Sequence, residues 1–406
     1  MKHTVLLGLL ACLTIYFSFP LFGTSDMAAW VRSASVNLEY GPTRAYKVYN
    51  MYYPPLSSLI IWSTAKLSDF HYDQSWLEDY QKPEVIGREY LPIKYSILFF
   101  LLISVLLLKT SVTNKLLILL NPALIWITLV LGYIDIYVVP SLILAYYFYQ
   151  QKRYFLSGIN LAITFLIKLI PIFLVPAFLL SFVEISFNPL RLKFKFRHGI
   201  VFALGCLLTV AIVFLVYDLR DFVNIIIMSA GHGKYLSINA MNFHWLIRQI
   251  FIPENLTPSW ISNLSKIMFI LVSGLSLLNM MITKDKVIGV MKTSLTILFS
   301  YAMLFTGAHE NHLFPAFMLS LIMYHAYPTK QSRFWYYGIS TILFLNLFLF
   351  YRFGQGVSVD FVNYLFVDSG MSLSFINLST SVAVLFYLYY LSTNYLNFRQ
   401  KIWLKK

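Results

Sequence analysis

The sequence predicts an all-α polytopic membrane protein with about 12 transmembrane helices, arranged as a single domain over residues 1–406. Of its 406 residues, 59% are hydrophobic and only 12% are charged, a composition typical of membrane proteins and not of soluble domains. Apolar runs recur along the chain at nearly the length that a helix needs to cross a bilayer. Short clusters of lysine and arginine separate these runs, as the positive-inside rule describes.

Each apolar run predicts one membrane passage. The first run is interpreted as an uncleaved helix, because it is longer than a signal-peptide core and no small-residue cleavage pattern precedes Asp26. The run at 293–306 is short for a span, and the stretch 155–187 is counted as two passages because the basic clusters on either side require the same compartment. The predicted spans are 4–22, 91–108, 116–131, 134–149, 155–169, 171–187, 199–217, 263–282, 293–306, 311–327, 334–351 and 372–393.

The charges predict the topology. Basic clusters fall in alternate loops, so these loops and both termini are expected in the cytoplasm, with residues 394–406 as a basic tail. Of the 17 acidic residues, all except Glu184 and Asp285 fall on the opposite side. The long loops at 23–90, 218–262 and 352–371 are therefore expected to be extracytoplasmic, and the chemistry with them.

The net charge of +14 does not indicate a nucleic-acid partner, because its distribution among the loops is explained by the bilayer. The expected partner is the lipid bilayer. Both cysteines, Cys12 and Cys206, lie within apolar runs, so no disulfide or thiolate metal site is expected.

The first long loop follows the first helix with a polar, aromatic and acidic stretch at residues 25–58. Asp26 lies close to the expected membrane surface, where a carboxylate costs less than at mid-bilayer. It is the candidate base, with Glu39 in reserve; the alternative role for Asp26 is to cap a helix. Amphipathic interfacial helices are expected around 26–39 and 54–67, and the apolar side chains of the second that would face lipid are Leu56, Leu59, Ile60, Trp62 and Leu67.

Asp26, Trp30, Gly41 and Tyr46, followed by the run Tyr53-Pro54-Pro55-Leu56, resemble the first external loop of GT-C superfamily glycosyltransferases. These membrane enzymes use polyprenyl-phosphate sugars, and the pattern is similar to bacterial mannosyltransferase-like proteins and to the glucosyltransferases of N-glycan assembly. The resemblance implies a GT-C-like fold and transfer of a hexose to a glycan or lipid-linked acceptor, with Asp26 catalytic and Tyr53 binding substrate. It also favours the bacterial inner membrane as the location.

A second candidate group is Asp135 and Lys168, both placed near the outer mouths of predicted helices. Their surroundings, residues 131–140 and 151–176, resemble the third-to-sixth helix region of the same bacterial enzymes. Ionisable residues inside a membrane are functional candidates, with Asp135 binding substrate and Lys168 binding the donor phosphate. The alternative is a purely structural ion pair, and Lys168 can serve both roles.

The third group lies in the second long loop. Asn239, Asn242 and Trp245 offer amides and an aromatic face for a sugar, while His232 and Lys234 are candidates for contacting phosphate. The Ser-x-Asn-Ala-x-Asn core at 237–242 again resembles the bacterial transferases. The alternative is an ordinary interfacial loop with aromatic anchors.

The fourth group is His309, Glu310 and His312, at the external end of a predicted helix. Related enzymes often carry a basic residue where this chain has Asn311, so a cation for phosphate would have to come from His312 or Arg352. The spacing lacks the i, i+4 histidine pair of a zinc helix, and the chain has neither a Gly-rich phosphate loop nor an Asp-x-Asp pair in the first loop. A metal-free, cofactor-free reaction is expected.

Together these groups predict an inverting transfer in which Asp26 deprotonates the acceptor hydroxyl. Two other functions stay open: a transporter or flippase of a lipid-linked sugar, and a polysaccharide polymerase. Transporters often show related helix halves, which are not visible here, and polymerases generally rely on Arg-rich external loops, whereas these loops hold few arginines. The candidates for binding the donor phosphate are Lys168, His232, Lys234, His309 and Arg352, and those for binding substrate are Asp135, Tyr53, Asn239, Asn242, Trp245, Glu310 and His312.

Overall fold

The computed structural model describes residues 2–48, 53–68, 86–187, 190–230, 234–251, 256–354 and 371–403. The described residues form helices, the turns and loops that connect them, and two small two-stranded sheets, so the predicted all-α class is confirmed. His232, most of the predicted loop 352–371 and the last residues of the predicted tail 394–406 lie outside the described residues.

The first half of the chain forms short and medium helices. Several are interrupted by single turns of 3₁₀ or π-helix, which are described below with the chain breaks. The α-helices are α1 Lys2–Ser18, α2 Ser25–Tyr40, α3 Pro42–Val48, α4 Pro55–Leu67, α5 Leu91–Leu107, α6 Val112–Leu119, α7 Pro122–Ile125, α8 Val139–Gln150, α9 Tyr154–Ile167 and α10 Val175–Leu180.

The second half begins with a β-hairpin and continues with longer helices. Strand β3 (Ser237–Ile238) pairs in parallel with β4 (Ala308–His309). This pairing connects the second predicted long loop with the residues just before Glu310. The elements are β1 Val183–Phe187, β2 Leu190–Phe194, α11 Phe196–Phe214, α12 Leu219–Ala230, β3 Ser237–Ile238, α13 Phe243–Phe251, α14 Ser259–Ile282, α15 Lys286–Leu304, β4 Ala308–His309, α16 Phe314–Ala326, α17 Lys330–Tyr351 and α18 Met371–Trp403.

Among the described residues, five helices are long and apolar enough to cross a membrane, or six if the bent pair formed by α6 and the segment Pro122–Val130 is one span. The structure therefore has the character of a multi-pass membrane protein. The larger count of about 12 stays a prediction, as does the compartment that each end of a helix faces. The five helices are α11, α14, α15, α17 and the Leu373–Asn394 part of α18.

Helices are present at both positions predicted in the first loop, as α2 and α4, while their position at a membrane interface stays a prediction. A hydrogen bond of 2.8 Å from the Ser58 hydroxyl to the Asn37 amide oxygen joins them in the interior. Of the side chains expected to face lipid, Leu59 and Leu67 are exposed. Leu56 and Ile60 instead pack against the core, and Leu56 also packs against the buried cluster of Ala162, Phe165 and Leu166 in α9.

The prediction of a membrane passage over 171–187 is wrong at its end. Helix α10 stops at Leu180, and residues 183–187 form a strand of the antiparallel hairpin β1–β2. An ion pair of 2.5 Å between Lys195 and Glu184 closes the hairpin. The segment reads Val-Glu-Ile-Ser-Phe and Leu-Arg-Leu-Lys-Phe, and such alternation of apolar and polar residues favours a strand.

The apolar helices are interrupted at three places, each called a chain break here together with the short helical turn that follows it, and each carries ionisable side chains. The first break lies between the π-helix Trp126–Val130 and the 3₁₀ turn Ile134–Val138. At the second, Lys168 is extended between α9 and the turn Ile170–Leu174. The third lies between α15 and the turn Glu310–Leu313. A proline follows each break in the first turn of a helix. Proline is tolerated there because it has no N–H to leave unpaired.

Helices α9 and α11 pack with their backbones in close approach. A Cβ atom added to Gly158 would lie 2.1 Å from the carbonyl oxygen of Phe202, and one added to Gly205 would lie 2.2 Å from that of Phe155. Small residues allow such close packing between helices in membranes. This contact holds α9 in place, and α9 ends at the second chain break.

We expect Gly158→Val and Gly205→Val to force α9 and α11 apart, because each adds a side chain where only a hydrogen atom fits. The free energy of unfolding should fall by about 1–3 kcal/mol in each variant, measured by thermal unfolding in detergent. The matched control is Gly274→Val in α14, where an added Cβ meets nothing within 4 Å. Equal effects at all three positions would contradict this account.

Candidate functional site

Asp26 lies in the first turn of α2, but it does not cap the helix. Thr24 is the N-cap, and its hydroxyl accepts a hydrogen bond of 3.3 Å from the Asp26 backbone N–H. The capping role that the sequence left open for Asp26 is thus taken by Thr24. The carboxyl group of Asp26 therefore does not act as the helix cap.

The segment before α2 is joined to the first chain break. The Thr24 N–H donates to the Leu131 carbonyl over 3.2 Å, and a Cβ at Gly23 would lie 2.4 Å from the same oxygen. Gly23 also has a φ of +102°, which glycine adopts at little cost. This close approach places Asp26 next to the segment that carries Asp135.

Asp135 and Lys168 form a buried ion pair between the first and second chain breaks. The other carboxylate oxygen of Asp135 accepts a hydrogen bond of 3.3 Å from the Asn311 side chain, which belongs to the third break. The predicted pairing is therefore present. Asn311, which the sequence analysis treated only as a departure from a family pattern, has the structural role of holding Asp135.

Glu310 is buried beside this pair. The Tyr133 hydroxyl donates a hydrogen bond to one of its carboxylate oxygens, and the Tyr351 hydroxyl lies close to the same carboxyl group. The side-chain amide of Asn239 donates to Tyr351 over 3.0 Å. Burial is the main cause that raises the pKa of Glu310 to about 7, while the hydrogen bond from Tyr133 acts in the opposite direction and the charge of Asp26 adds to the rise.

Tyr53 lies among the carboxyl groups. Its ring packs edge-on against Trp30 at 4.8 Å between centroids, and the Lys168 ammonium lies 5.8 Å from the ring centroid. Burial, followed by the charges of Asp135, Asp26 and Glu310, raises the pKa of Tyr53 well above its usual value. Its hydroxyl group therefore keeps its proton and can donate a hydrogen bond.

The pKa of Asp26 is raised to about 6. Loss of hydration in its protein surroundings is the largest cause, the negative charge of Asp135 adds to it, and the positive charge of Lys168 opposes it. Asp26 and Glu310, whose pKa values are both raised, thus lie in one buried place with the ion pair of Asp135 and Lys168. Carboxyl groups with raised pKa values in one place are typical of functional sites.

Lys94 stabilises the first chain break through hydrogen bonds to its backbone. Its side chain is completely buried, and its ammonium group donates to the carbonyl of Leu129 and, over 3.3 Å, to that of Val130. Both carbonyls belong to the π-helix that ends just before Gly132, whose φ is +73°. Lys94 therefore fixes the turn that presents Tyr133 and Asp135.

The third predicted group lies partly at the site. Asn239 reaches it through Tyr351, as described above. Asn242 instead accepts a hydrogen bond of 3.0 Å from the Trp245 N–H, and the Trp245 indole donates to Asn377 over 2.9 Å. The side chain of Lys234 is exposed. The sugar- and phosphate-binding roles proposed for these three residues stay predictions.

His309 and His312 flank Glu310. Their ring centroids are 5.2 Å apart, and the His309 N–H donates to the His312 ring over 3.1 Å. The His312 ring also packs against Tyr301 at 5.4 Å. Arg352 directly follows Tyr351, and its carbonyl accepts a hydrogen bond of 2.6 Å from the Trp126 indole.

Within the described residues, no group of three or more His, Cys, Asp or Glu side chains is arranged to hold a metal ion. Metal independence stays a prediction. The structure brings together Asp26, Tyr53, Asp135, Lys168, Glu310 and Asn239. It adds four residues that the sequence analysis did not select as site residues: Lys94, Tyr133, Asn311 and Tyr351.

The fold and the site define a helical protein of multi-pass membrane character with a buried, carboxylate-rich polar site where three broken helices meet. No protein-family model matches the chain, and no curated protein sequence matches it.

We expect Lys168→Met to leave Asp135 as an unpaired buried carboxylate, which lowers the free energy of unfolding by about 3–5 kcal/mol. The double variant Asp135→Asn/Lys168→Met, which removes both charges, should recover much of this loss. Unfolding of the purified variants in detergent measures both, with Lys66→Met, an exposed lysine of α4, as the control. A double variant as unstable as the single one would contradict the ion-pair account.

We also expect Asp26→Asn to stabilise the fold at neutral pH. The folded-state pKa of about 6 lies above the ordinary value of 3.8, so protonated Asp26 favours the fold below pH 4 and this contribution is lost as the pH rises through 6. The neutral Asn variant should unfold roughly 2–4 °C above wild type at pH 7.5, and the difference should disappear near pH 4. Glu39→Gln, at the exposed end of the same helix, should show no such pH-dependent gain.

Proposed function

We propose that this protein is a membrane glycosyltransferase that moves a hexose from a polyprenyl-phosphate donor to an extracytoplasmic glycan or lipid-linked acceptor, with inversion. The observation that carries the proposal is that Asp26 and Lys168 interact within one buried cluster. A base for the acceptor and a cation for the phosphate are the two groups that such a transfer needs most. The resemblance of the first loop to GT-C enzymes supports the same conclusion.

In the proposed reaction, Asp26 removes the proton from the acceptor hydroxyl. With a pKa of about 6, this carboxyl is mostly ionised at neutral pH and yet more basic than an ordinary aspartate, which suits a general base. The acceptor oxygen forms a bond to the anomeric carbon, and the bond from that carbon to the phosphate oxygen breaks. Polyprenyl phosphate leaves with the bonding electron pair, and Asp26 holds the proton.

Lys168 is proposed to stabilise the departing phosphate while it remains paired with Asp135. An ammonium group has three N–H donors, so the ion pair with Asp135 leaves capacity for a second acceptor. Electrostatic stabilisation of a leaving group is strong in a site from which water is excluded. His309 and Arg352, together with His232 and Lys234, are the further phosphate contacts in this proposal.

The sugar is proposed to bind between the carboxyl groups and the aromatic side chains. Tyr53 donates a hydrogen bond to the substrate, and Glu310, partly protonated at neutral pH with a pKa of about 7, can donate or accept one. The remaining proposed sugar contacts are Asp135, Asn239, Asn242, Trp245 and His312. The proposed reaction uses no metal ion. The basic clusters of the sequence favour a site outside the cytoplasm, and the resemblance to GT-C enzymes favours a bacterial inner membrane.

One observation favours a second candidate function, transport of a lipid-linked sugar. Broken helices whose ends meet at a buried polar site are also a feature of transporters. The chain breaks at Asp135, Lys168 and Glu310 have this arrangement. The two functions differ in whether the donor is consumed or only crosses the bilayer.

We expect purified protein in liposomes to release polyprenyl phosphate from synthetic polyprenyl-phosphate glucose or mannose when an acceptor is present, with or without a chelator. Asp26→Asn should lower the rate by about 10²–10⁴-fold, the usual contribution of a general base. In wild type, kcat/KM should rise with pH through about 6, because only the ionised carboxyl accepts the proton.

Glu39, the reserve candidate for the base, is exposed at the other end of α2 from Asp26, so the proposal assigns it no role. Glu39→Gln should therefore keep the wild-type rate and is the control. An unchanged rate in Asp26→Asn would refute its role as the base and direct attention to Asp135 or Glu310. If the lipid-linked sugar crosses the bilayer while none is consumed, the protein is a transporter and the transferase proposal is wrong.

A further inference from the structure

A cavity of about 90 Å³ lies between α14, α15 and α18. Most of its lining residues are polar, and Met280, Ile288 and Gly289 complete the lining; the polar ones are Ser276, Asn279, Thr283, Lys292, Thr293, Thr296 and Asn394. Lys292 precedes the end of α15 at Leu304 by 12 residues, which is about 18 Å along a helix. The cavity therefore lies near the start of α15, whereas the site around Glu310 follows the end of this helix, so the two are separate.

Two amide atoms of the lining residues have no hydrogen-bond partner among the described residues. The Asn279 side-chain oxygen and the Asn394 side-chain nitrogen are buried but form no hydrogen bond among the described residues. The neighbouring hydroxyl groups are satisfied, since Thr293 bonds to Ser276 and Thr296 bonds to Tyr390. Buried polar atoms normally have partners, so the unpaired amides indicate a ligand with both an acceptor and a donor.

The charge of the lining selects the kind of ligand. Lys292 contributes a positive charge, and none of the lining residues in the described part of the chain carries a carboxylate. Nearby Lys286 donates to the carbonyls of Met280 and Met281 at the end of α14. The cavity is therefore suited to an anion.

The flank of the cavity is apolar. Leu271, Leu275 and Leu278 of α14 are exposed, and α14 is one of the helices able to cross a membrane. In a bilayer such side chains contact lipid, while the basic residues at the helix ends attract anionic headgroups.

We propose that this cavity binds a phosphate group, carried either by an anionic lipid headgroup or by a small phosphate ester, with Lys292 and the two asparagines as its contacts. The ammonium group and the Asn394 amide nitrogen donate to phosphate oxygens. The Asn279 oxygen accepts from a hydroxyl group of the same ligand. This site is separate from the transferase site and does not depend on its activity.

The test measures binding to the purified full-length protein in a neutral detergent. The probes are dioctanoyl phosphatidylglycerol, which has a phosphate and hydroxyl groups, dioctanoyl phosphatidylcholine, which has no net charge and no headgroup hydroxyl, and free glycerol phosphate. Phosphatidylglycerol should bind more tightly than phosphatidylcholine. Lys292→Met and Asn279→Ala should each raise the Kd for phosphatidylglycerol at least about tenfold, as expected when a hydrogen bond to a charged group is lost.

The control is Lys266→Met, which removes an exposed lysine near the other end of α14 and should leave the Kd unchanged. Full competition by glycerol phosphate identifies a small ester as a sufficient ligand, whereas lack of competition identifies the lipid headgroup; both support a phosphate site. Equal Kd values for wild type, Lys292→Met and Asn279→Ala overturn the proposal, as does an equal effect of Lys266→Met. If Lys292→Met does not fold, Asn394→Ala provides the same readout.

Discussion

The buried ion pair between Asp135 and Lys168 is the interaction on which the polar site depends. Removing two charges from water is costly, and their attraction compensates only when their remaining hydrogen-bonding groups are also satisfied. Asp135 meets this condition, because Lys168 occupies one of its oxygens and Asn311 the other. These three residues come from three different chain breaks. The ion pair and its hydrogen bond therefore connect the three broken helices to one another.

The buried surroundings of that pair also set the pKa values of the neighbouring carboxyl groups of Asp26 and Glu310. Burial is the largest cause that raises the pKa values of Asp26 and Glu310; for Asp26 the charge of Asp135 adds to the rise and that of Lys168 opposes it, and for Glu310 the charge of Asp26 adds to it. A phosphate entering the same site would raise the pKa of Asp26 further. In the proposed reaction, cations near the phosphate would offset this rise and keep Asp26 ionised. His309 and Arg352 would then both bind the phosphate and keep the pKa of Asp26 low enough for it to act as a base.

Much of the site could be predicted from the sequence because ionisable side chains stand out in an apolar chain. Asp26, Asp135, Lys168 and Glu310 stand out on that basis and through the resemblance of their surroundings to GT-C enzymes, and they lie together. Tyr133 and Tyr351 do not stand out, because 18% of the residues are aromatic and only the fold shows which tyrosines reach a carboxylate. Lys94 was counted within an apolar run, although an ionisable residue there is itself a signal. The first strand of the hairpin at 183–194 directly follows an apolar helix, so apolar content alone favours a continued membrane passage there, and only the alternation of apolar and polar residues indicates strands.

The glycine contacts around residue 23 affect how the site can move. A Cβ on Gly354 would lie 2.4 Å from the Gly23 carbonyl oxygen, and a Cβ on Gly23 would lie equally close to that of Leu131. The backbones at the start of α2, before Asp135 and after Tyr351 are thus in direct contact, with no side chain between them to adjust by changing rotamer. Any widening of the site to admit a substrate must move these segments as one rigid body or separate them completely. Access is therefore expected to be gained through segments outside this junction, and the carboxyl groups should keep their relative positions throughout.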